Sequence, residues 1–231
     1  MIYSHRWLRI SAFTGMTILL GISNTHAAKP LPTVQLSPSQ QAVETRSLDD
    51  VIAWLKSTNT MLADFKQTTS AGKISTGKMT LARPGKVRFE YEPSVPVLVV
   101  ADGGSLYVID YASASVQRWP IKNSPLSVLL DPKADIKRVA RLIDAGPAAV
   151  PGYVTVEAAD PKRPQYGTIT LYFANTPGTA GNVTLAAWRV LDAQGNTTTI
   201  QLSNAKLNGP VSADAFHYKD PRPSQVGGRS H

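Results

Sequence analysis

The sequence predicts a mainly β fold: one large antiparallel sheet, strongly curved or nearly closed, with short helices over its open side. Three observations carry that reading. From about residue 61 onward the apolar side chains alternate with period 2 for most of the chain. The alternating runs are short and separated by Gly, Pro and Asp-Gly turn signals. Two stretches break the alternation with helical patterning, one before the strands and one in their middle.

The chain of 231 residues opens with Arg6 and Arg9, an apolar run from Ile10 to Ile22, and small residues at Thr25 and Ala27. That order is the one of a secretory signal, with cleavage expected near Ala27. The run is too short to span a bilayer, and no later segment approaches the ~18 uninterrupted apolar residues of a transmembrane helix. Residues 28–46, "AKPLPTVQLSPSQQAVETR", carry three prolines and no periodicity, and read as a flexible leader. Ser47 then offers an N-cap with Asp50 three residues later, and Leu48, Val51, Ile52 and Leu55 share one helical face. That helix has an apolar stripe to bury.

Candidate strands follow at 61–70, 74–83, 86–92, 96–101, 105–110 and 114–121. After an interruption, further strands fit 139–144, 152–159, 166–174, 183–192, 197–206 and 215–219. In the interruption, "NSPLSVLLDPKADIKRVARL", Ser124 and Pro125 form an N-cap and first-turn pair, and Pro132 ends the helix they begin. Asp135 can cap a second short turn before Val139. A greasy helix in the middle connection, with an amphipathic one ahead of the sheet, places both over the mouth or open side of a barrel. Residues 47–221 therefore form one domain, followed by a disordered basic tail over 222–231, "RPSQVGGRSH".

Cysteine is absent, so no disulfide staples an exported fold, and Ala28 stands where a lipid-anchored protein needs its modified cysteine. The protein is expected to be exported and to diffuse freely. Arg6 and Arg9 are the only charged residues before Ala28, and their removal lowers the formal net charge from +8 to +6. A moderately basic export product suits anionic membrane surfaces or acidic partners. The clusters "KADIKRVAR" and "PKRP" lack the motif spacing and interleaved aromatics of nucleic-acid modules, so nucleic acid is not an expected partner.

Period 2 puts Met61, Ala63 and Phe65 on one face, as it does Val87, Phe89 and Tyr91, then Ile169, Leu171 and Phe173, then Val183, Leu185 and Ala187. Lys66, Arg88, Glu90, Thr168 and Thr170 fall on the solvent face. Periodicity alone does not separate a packed interior from a cavity wall. One residue breaks the apolar rule: Arg83 shares the face of Met79 and Leu81 just before a proline. An inward arginine must meet carboxylates, carbonyl oxygens or water, and helix C-termini offer free carbonyls. A strand-end arginine can equally turn to solvent.

Catalytic and metal chemistry have little material. Beyond the signal the histidines are His217 and His231, and there is no G-x-S-x-G elbow, P-loop or G-x-G-x-x-G. "DGG" at Asp102–Gly104 and "AQGN" at Ala193–Asn196 read as hairpin turns. The acid pairs Asp49 and Asp50, and Glu90 and Glu92, sit where exposure explains them. No enzyme activity, cofactor or metal is expected.

The runs "LARPGKVRFEYEPSVPVLVVADGGSLYVIDYASASVQRWPI", "SPLSVLL" and "VLDAQGNTTTIQLSNAKLNGPVSADAFHY" resemble the LolA family of periplasmic carriers, which move lipoproteins to the outer membrane of Gram-negative bacteria. The likeness runs from about Ser47 to Pro221. It implies an incomplete, unclosed antiparallel barrel of about 11 strands, with an α-helical lid enclosing a hydrophobic cavity for acyl chains. It makes Arg83 the lid latch, hydrogen-bonded to the lid in the closed form, and matches Phe89 and Tyr91 to the family's aromatic positions. The acyl-chain wall expected from the resemblance and the pattern is Leu48, Val51, Leu55, Phe65, Leu81, Val87, Phe89, Tyr91, Leu126, Leu129, Leu130, Ile169 and Leu171. Val87 stands where an aromatic or larger apolar residue is common in the family. The implied partners are triacylated lipoproteins as cargo, an inner-membrane ABC-type lipoprotein-releasing complex, and an outer-membrane receptor or the outer membrane itself, with the carrier a monomer. The competing expectation is a periplasmic lipid- or lipoprotein-sensing interaction module of the same fold.

Overall fold

The computed structural model describes residues 38–121, 126–130, 135–143, 150, 152–159 and 167–223, with side chains from Leu48 onward. The expected signal, the leader up to residue 37, Ser124–Pro125, Pro132 and the tail from residue 224 lie outside the described residues. Helix α1 spans Pro38–Ser57, nine residues ahead of the cap expected at Ser47. The reason is legible in hindsight: proline is well suited to the first helical turn, and "SQQAVETR" after it contains no breaker. The flexible leader expected over 28–46 is therefore helical from Pro38.

Six strands follow in meander: β1 (Thr60–Thr69), β2 (Ile74–Ala82), β3 (Lys86–Tyr91), β4 (Val97–Asp102), β5 (Ser105–Asp110) and β6 (Ser115–Pro120). The interruption holds two single-turn helices, α2 (Ser127–Leu130) and α3 (Ile136–Val139). Asp135 precedes α3 as expected, but its carboxylate makes no capping hydrogen bond. Then come β7 (Ala140–Leu142), β8 (Tyr153–Ala159), β9 (Thr168–Asn175), β10 (Val183–Leu191) and β11 (Thr197–Leu207).

All pairing is antiparallel, in one sheet of order β6-β5-β4-β3-β2-β1-β11-β10-β9-β8-β7. The terminal strands β6 and β7 are not paired to each other, so the sheet stays open. Its curl is measurable. Four strand steps separate β3 from β10, roughly 19 Å on a flat sheet at about 4.8 Å per step, yet the rings of Phe89 and Trp188 lie 5.9 Å apart. Only a sheet wrapped on its concave face brings them together.

The concave face holds the main core, to which β1, β2, β3, β8, β9, β10 and β11 contribute alternate residues, and α1, α2 and α3 contribute theirs from above. A bulge between Leu185 and Ala187 adds one residue to β10 opposite β9. It flips the alternation, so Trp188 is buried where period 2 pointed Ala187 inward. Thr170, expected toward solvent, is also buried; its cross-strand partners Glu157 and Arg189 bring long side chains to the same outer face.

A smaller core lies on the convex face, where Leu98, Val100 and Ile109 meet Phe216, flanked by Tyr107 and Tyr218. Covered on both faces, β4 reads as the continuous run "VLVVA" rather than as an alternation. The strand expected over 215–219 does not form. Residues Ala213–Phe216 make a 3₁₀ turn, with the Ser212 hydroxyl accepting from the Asp214 N–H, and Arg88 donates to the His217 carbonyl at 3.2 Å. This segment is an outer strap, with Phe216 as its plug.

Candidate functional site

The three helices are held at separate points, α1 and α2 on turns of the sheet and α3 on α1. Gly181, in the turn Ala180–Asn182 before β10, adopts φ +67°, and a Cβ there would stand 2.1 Å from the Asp50 carbonyl oxygen. Glycine is thus what lets α1 sit down on that turn. Gly85, at φ +73°, donates its N–H to the Leu130 carbonyl at 2.9 Å and anchors α2 to the β2–β3 turn. Lys137 of α3 pairs with Asp49 of α1 at 2.7 Å, in an exposed contact worth a fraction of a kcal/mol, under about 1 kcal/mol.

Beneath them, every residue expected in the acyl-chain wall falls in one contiguous apolar cluster. Val51, Leu55, Phe65, Leu81, Val87, Phe89, Leu129, Leu130, Ile169 and Leu171 are buried, while Leu48, Tyr91 and Leu126 are half-buried against them. The rings form a chain of edge-to-face contacts: Tyr91 to Phe65 at 5.1 Å, Phe65 to Phe89 at 5.3 Å, Phe89 to Trp188 at 5.9 Å. The Tyr91 hydroxyl donates to Gln67 at 2.7 Å, and burial pushes its pKa up to about 12. It is a neutral donor at the edge of an apolar surface.

Sequence reasoning missed two indoles. Trp54, fully buried, packs edge-on against Phe173 at 5.4 Å; its place three residues after Val51 on the apolar stripe was the available signal. Trp188 was hidden by the β10 bulge, which no alternation pattern reveals.

Arg83 does face α1, but not by the hydrogen bonds expected of it. Its guanidinium carbon stands 5.7 Å from the centroid of the Trp54 ring, over the indole face. The Nε, Nη1 and Nη2 atoms are buried and have no hydrogen-bond partner among the described residues, and the same holds for the Trp54 Nε1. The carbonyls at the end of α1 accept from other groups. The Trp54 carbonyl accepts from the Thr58 N–H at 3.0 Å and the Ser57 hydroxyl at 3.1 Å, and the Ser57 carbonyl accepts from Asn208 at 3.0 Å. The Arg83 N–H bonds the Asn59 carbonyl at 2.8 Å, fixing the end of β2 to the α1–β1 connection. Burial alone pushes the guanidinium pKa down to about 10.

The sequence that builds this apolar concave wall matches a described family. The model of outer membrane lipoprotein carrier protein LolA matches residues 56–219, from the last turn of α1 through all strands to just past the strap. The chain belongs to the LolA family. Among its relatives, the outer-membrane lipoprotein carrier protein of Chromobacterium violaceum is 32% identical over 179 residues, 74% of this chain and 82% of that protein. Those of Dechloromonas aromatica and Xanthomonas oryzae are 29% and 27% identical, over 79% and 87% of this chain and 88% and 96% of theirs. This LolA-family chain has no described helix long and apolar enough to cross a membrane, and among the described residues no group of three His, Cys, Asp or Glu could hold a metal.

Proposed function

We propose that this protein is a periplasmic carrier which shelters the acyl chains of lipoproteins between the inner and the outer membrane. The observation that carries the proposal is the continuous apolar face, closed over by helices that are held at a few points. Family membership supports it, because the relatives are named as outer-membrane lipoprotein carriers.

The energetics define what such a site must do. Each buried methylene is worth about 0.8 kcal/mol, so a triacylated anchor gains tens of kcal/mol from any apolar shelter and never waits in water. Loading and release then depend on small differences between the carrier and a bilayer. A lid whose closed and open forms differ by a few kcal/mol can decide between them. Displacing α1 exposes the wall formed by Phe65, Leu81, Phe89, Leu171 and Trp188, and the cargo's chains replace the side chains of the helices. An ABC-type lipoprotein-releasing complex supplies the cargo, and a receptor or the outer membrane itself accepts it.

The test is incubation of the purified protein with spheroplasts loaded with a labelled triacylated lipoprotein. A soluble one-to-one complex, which then deposits the label in outer-membrane vesicles, is the expected outcome. Label that stays with the spheroplasts at all carrier concentrations contradicts the proposal.

A further inference from the structure

We infer that Arg83 and Trp54 together form a polar subsite for the carbonyl oxygens that join acyl chains to their head, namely the esters and the amide of a lipid anchor. The inference rests on the carrier reading and adds what the polar end of the cargo meets.

The observation is a cluster of unmet donors. Arg83 Nε, Nη1 and Nη2 and Trp54 Nε1 are all buried without a partner among the described residues, and the guanidinium lies over the indole, 5.7 Å from its centroid. Buried polar atoms are satisfied in the great majority of cases, so several on neighbouring side chains mark a place where something else belongs. Around them the surface is apolar: Leu81, near the end of β2, and Phe173 against the Trp54 ring are fully buried. A ligand that reaches these donors must therefore bring its acceptors attached to hydrocarbon.

The geometry favours several separated acceptors over one anion. The guanidinium lies over the ring face, while an indole N–H points in the ring plane, so the two groups donate in different directions. A compact anion fits the guanidinium fork and leaves the indole unmet. The glyceryl thioether head of a lipid anchor instead carries two ester carbonyls and one amide carbonyl on separate arms. Chains in the apolar wall would bring those carbonyls to the end of β2, where Arg83 emerges. The Trp54 ring is the group that lies under the guanidinium.

The experiment compares two probes in wild type, Arg83→Met and Arg83→Lys: a dipalmitoyl-S-glyceryl-cysteinyl peptide, and its dihexadecyl ether analogue, which lacks the ester carbonyls. Wild type should bind the ester probe about tenfold or more tighter than the ether probe, as charge-assisted hydrogen bonds imply. Arg83→Met should lose most of that preference, keeping only what the Trp54 N–H supplies, and Arg83→Lys should fall between. Isotope-edited infrared spectra of the ¹³C=O ester probe should show the stretch lowered on binding to wild type and less lowered in Arg83→Met. Equal binding of the two probes by wild type, an ester preference undiminished in Arg83→Met, or displacement of the ester probe by millimolar inorganic phosphate overturns the inference while leaving the carrier reading in place. Failure of both probes to bind any of the three proteins overturns both.

Discussion

The guanidinium of Arg83 lies over the indole of Trp54, and neither side chain's N–H groups meet an acceptor among the described residues. Stacking of this kind contributes about 0.5–2 kcal/mol, whereas a buried charge without hydrogen bonds costs several, roughly 3–5 kcal/mol when a partner is missing. The contact between sheet and α1 is therefore a weak clasp. It holds the helix in register without making the empty closed form deep.

It follows that Arg83→Met should stabilise the empty protein at pH 7, by about 1 kcal/mol or more, measured as a raised urea midpoint at unchanged slope. The pH dependence has a definite sign. Burial lowers the folded-state pKa of Arg83 to about 10, so the charged group costs the fold its full penalty below that pH. As pH climbs through about 10 toward the ordinary guanidinium value, the folded form loses the proton first and wild type regains stability. The advantage of Arg83→Met should shrink over that window, since desolvation alone sets the shift and other groups titrate equally in both proteins. A methionine variant less stable than wild type at pH 7 would show that Arg83 finds partners the geometry does not display.

Gly181 is the seat of α1. Gly181→Ala forces a Cβ against the Asp50 carbonyl at a φ of +67°, a backbone conformation that alanine avoids. Expected is a loss of about 2 kcal/mol, with faster proteolysis inside α1 than elsewhere. Gly178→Ala, at φ +88° with open space around its Cβ, is the control: it should show the backbone strain without the loosening of α1. Equal proteolysis patterns in the two variants would remove the special role assigned to the α1 contact.

The absence of cysteine makes a covalent lid lock straightforward. Asp49 and Lys137 touch across α1 and α3 at 2.7 Å and are both exposed. Asp49→Cys with Lys137→Cys, bridged by a short reducible bis-thiosulfonate, should leave the fold intact and abolish uptake of a triacylated lipopeptide. Reduction should restore it. Uptake at the wild-type level in the bridged protein would mean that cargo does not enter by separating these helices.

Much of this was readable in the residues. Strands β1 to β3 advertise themselves because one face of each is buried, and turn chemistry marks the hairpins: Asp102, between β4 and β5, accepts from the Gly104 and Ser105 N–H groups, and Asp192, between β10 and β11, from Gln194 and Asn196. The apolar wall was legible for the same reason. What stayed hidden depends on contacts far apart in sequence. Trp188 turns inward because one extra residue enters β10, a local change with no compositional mark. Phe216 reads as a strand residue in "AFHY", yet it is a plug over the back of β4 and β5. The inward face of Arg83 was visible in the alternation. Its place over the Trp54 ring, with no side-chain hydrogen bond among the described residues, was not.

The most direct measurement is photolabelling with a lipopeptide whose acyl chains carry a diazirine, followed by peptide mapping. Shelter inside the curled sheet requires labels on inward residues, Phe65, Phe89, Leu171 and Trp188 first among them. Labels confined to exposed apolar residues on the outside, such as Ile74, Tyr111 or Leu191, would contradict it.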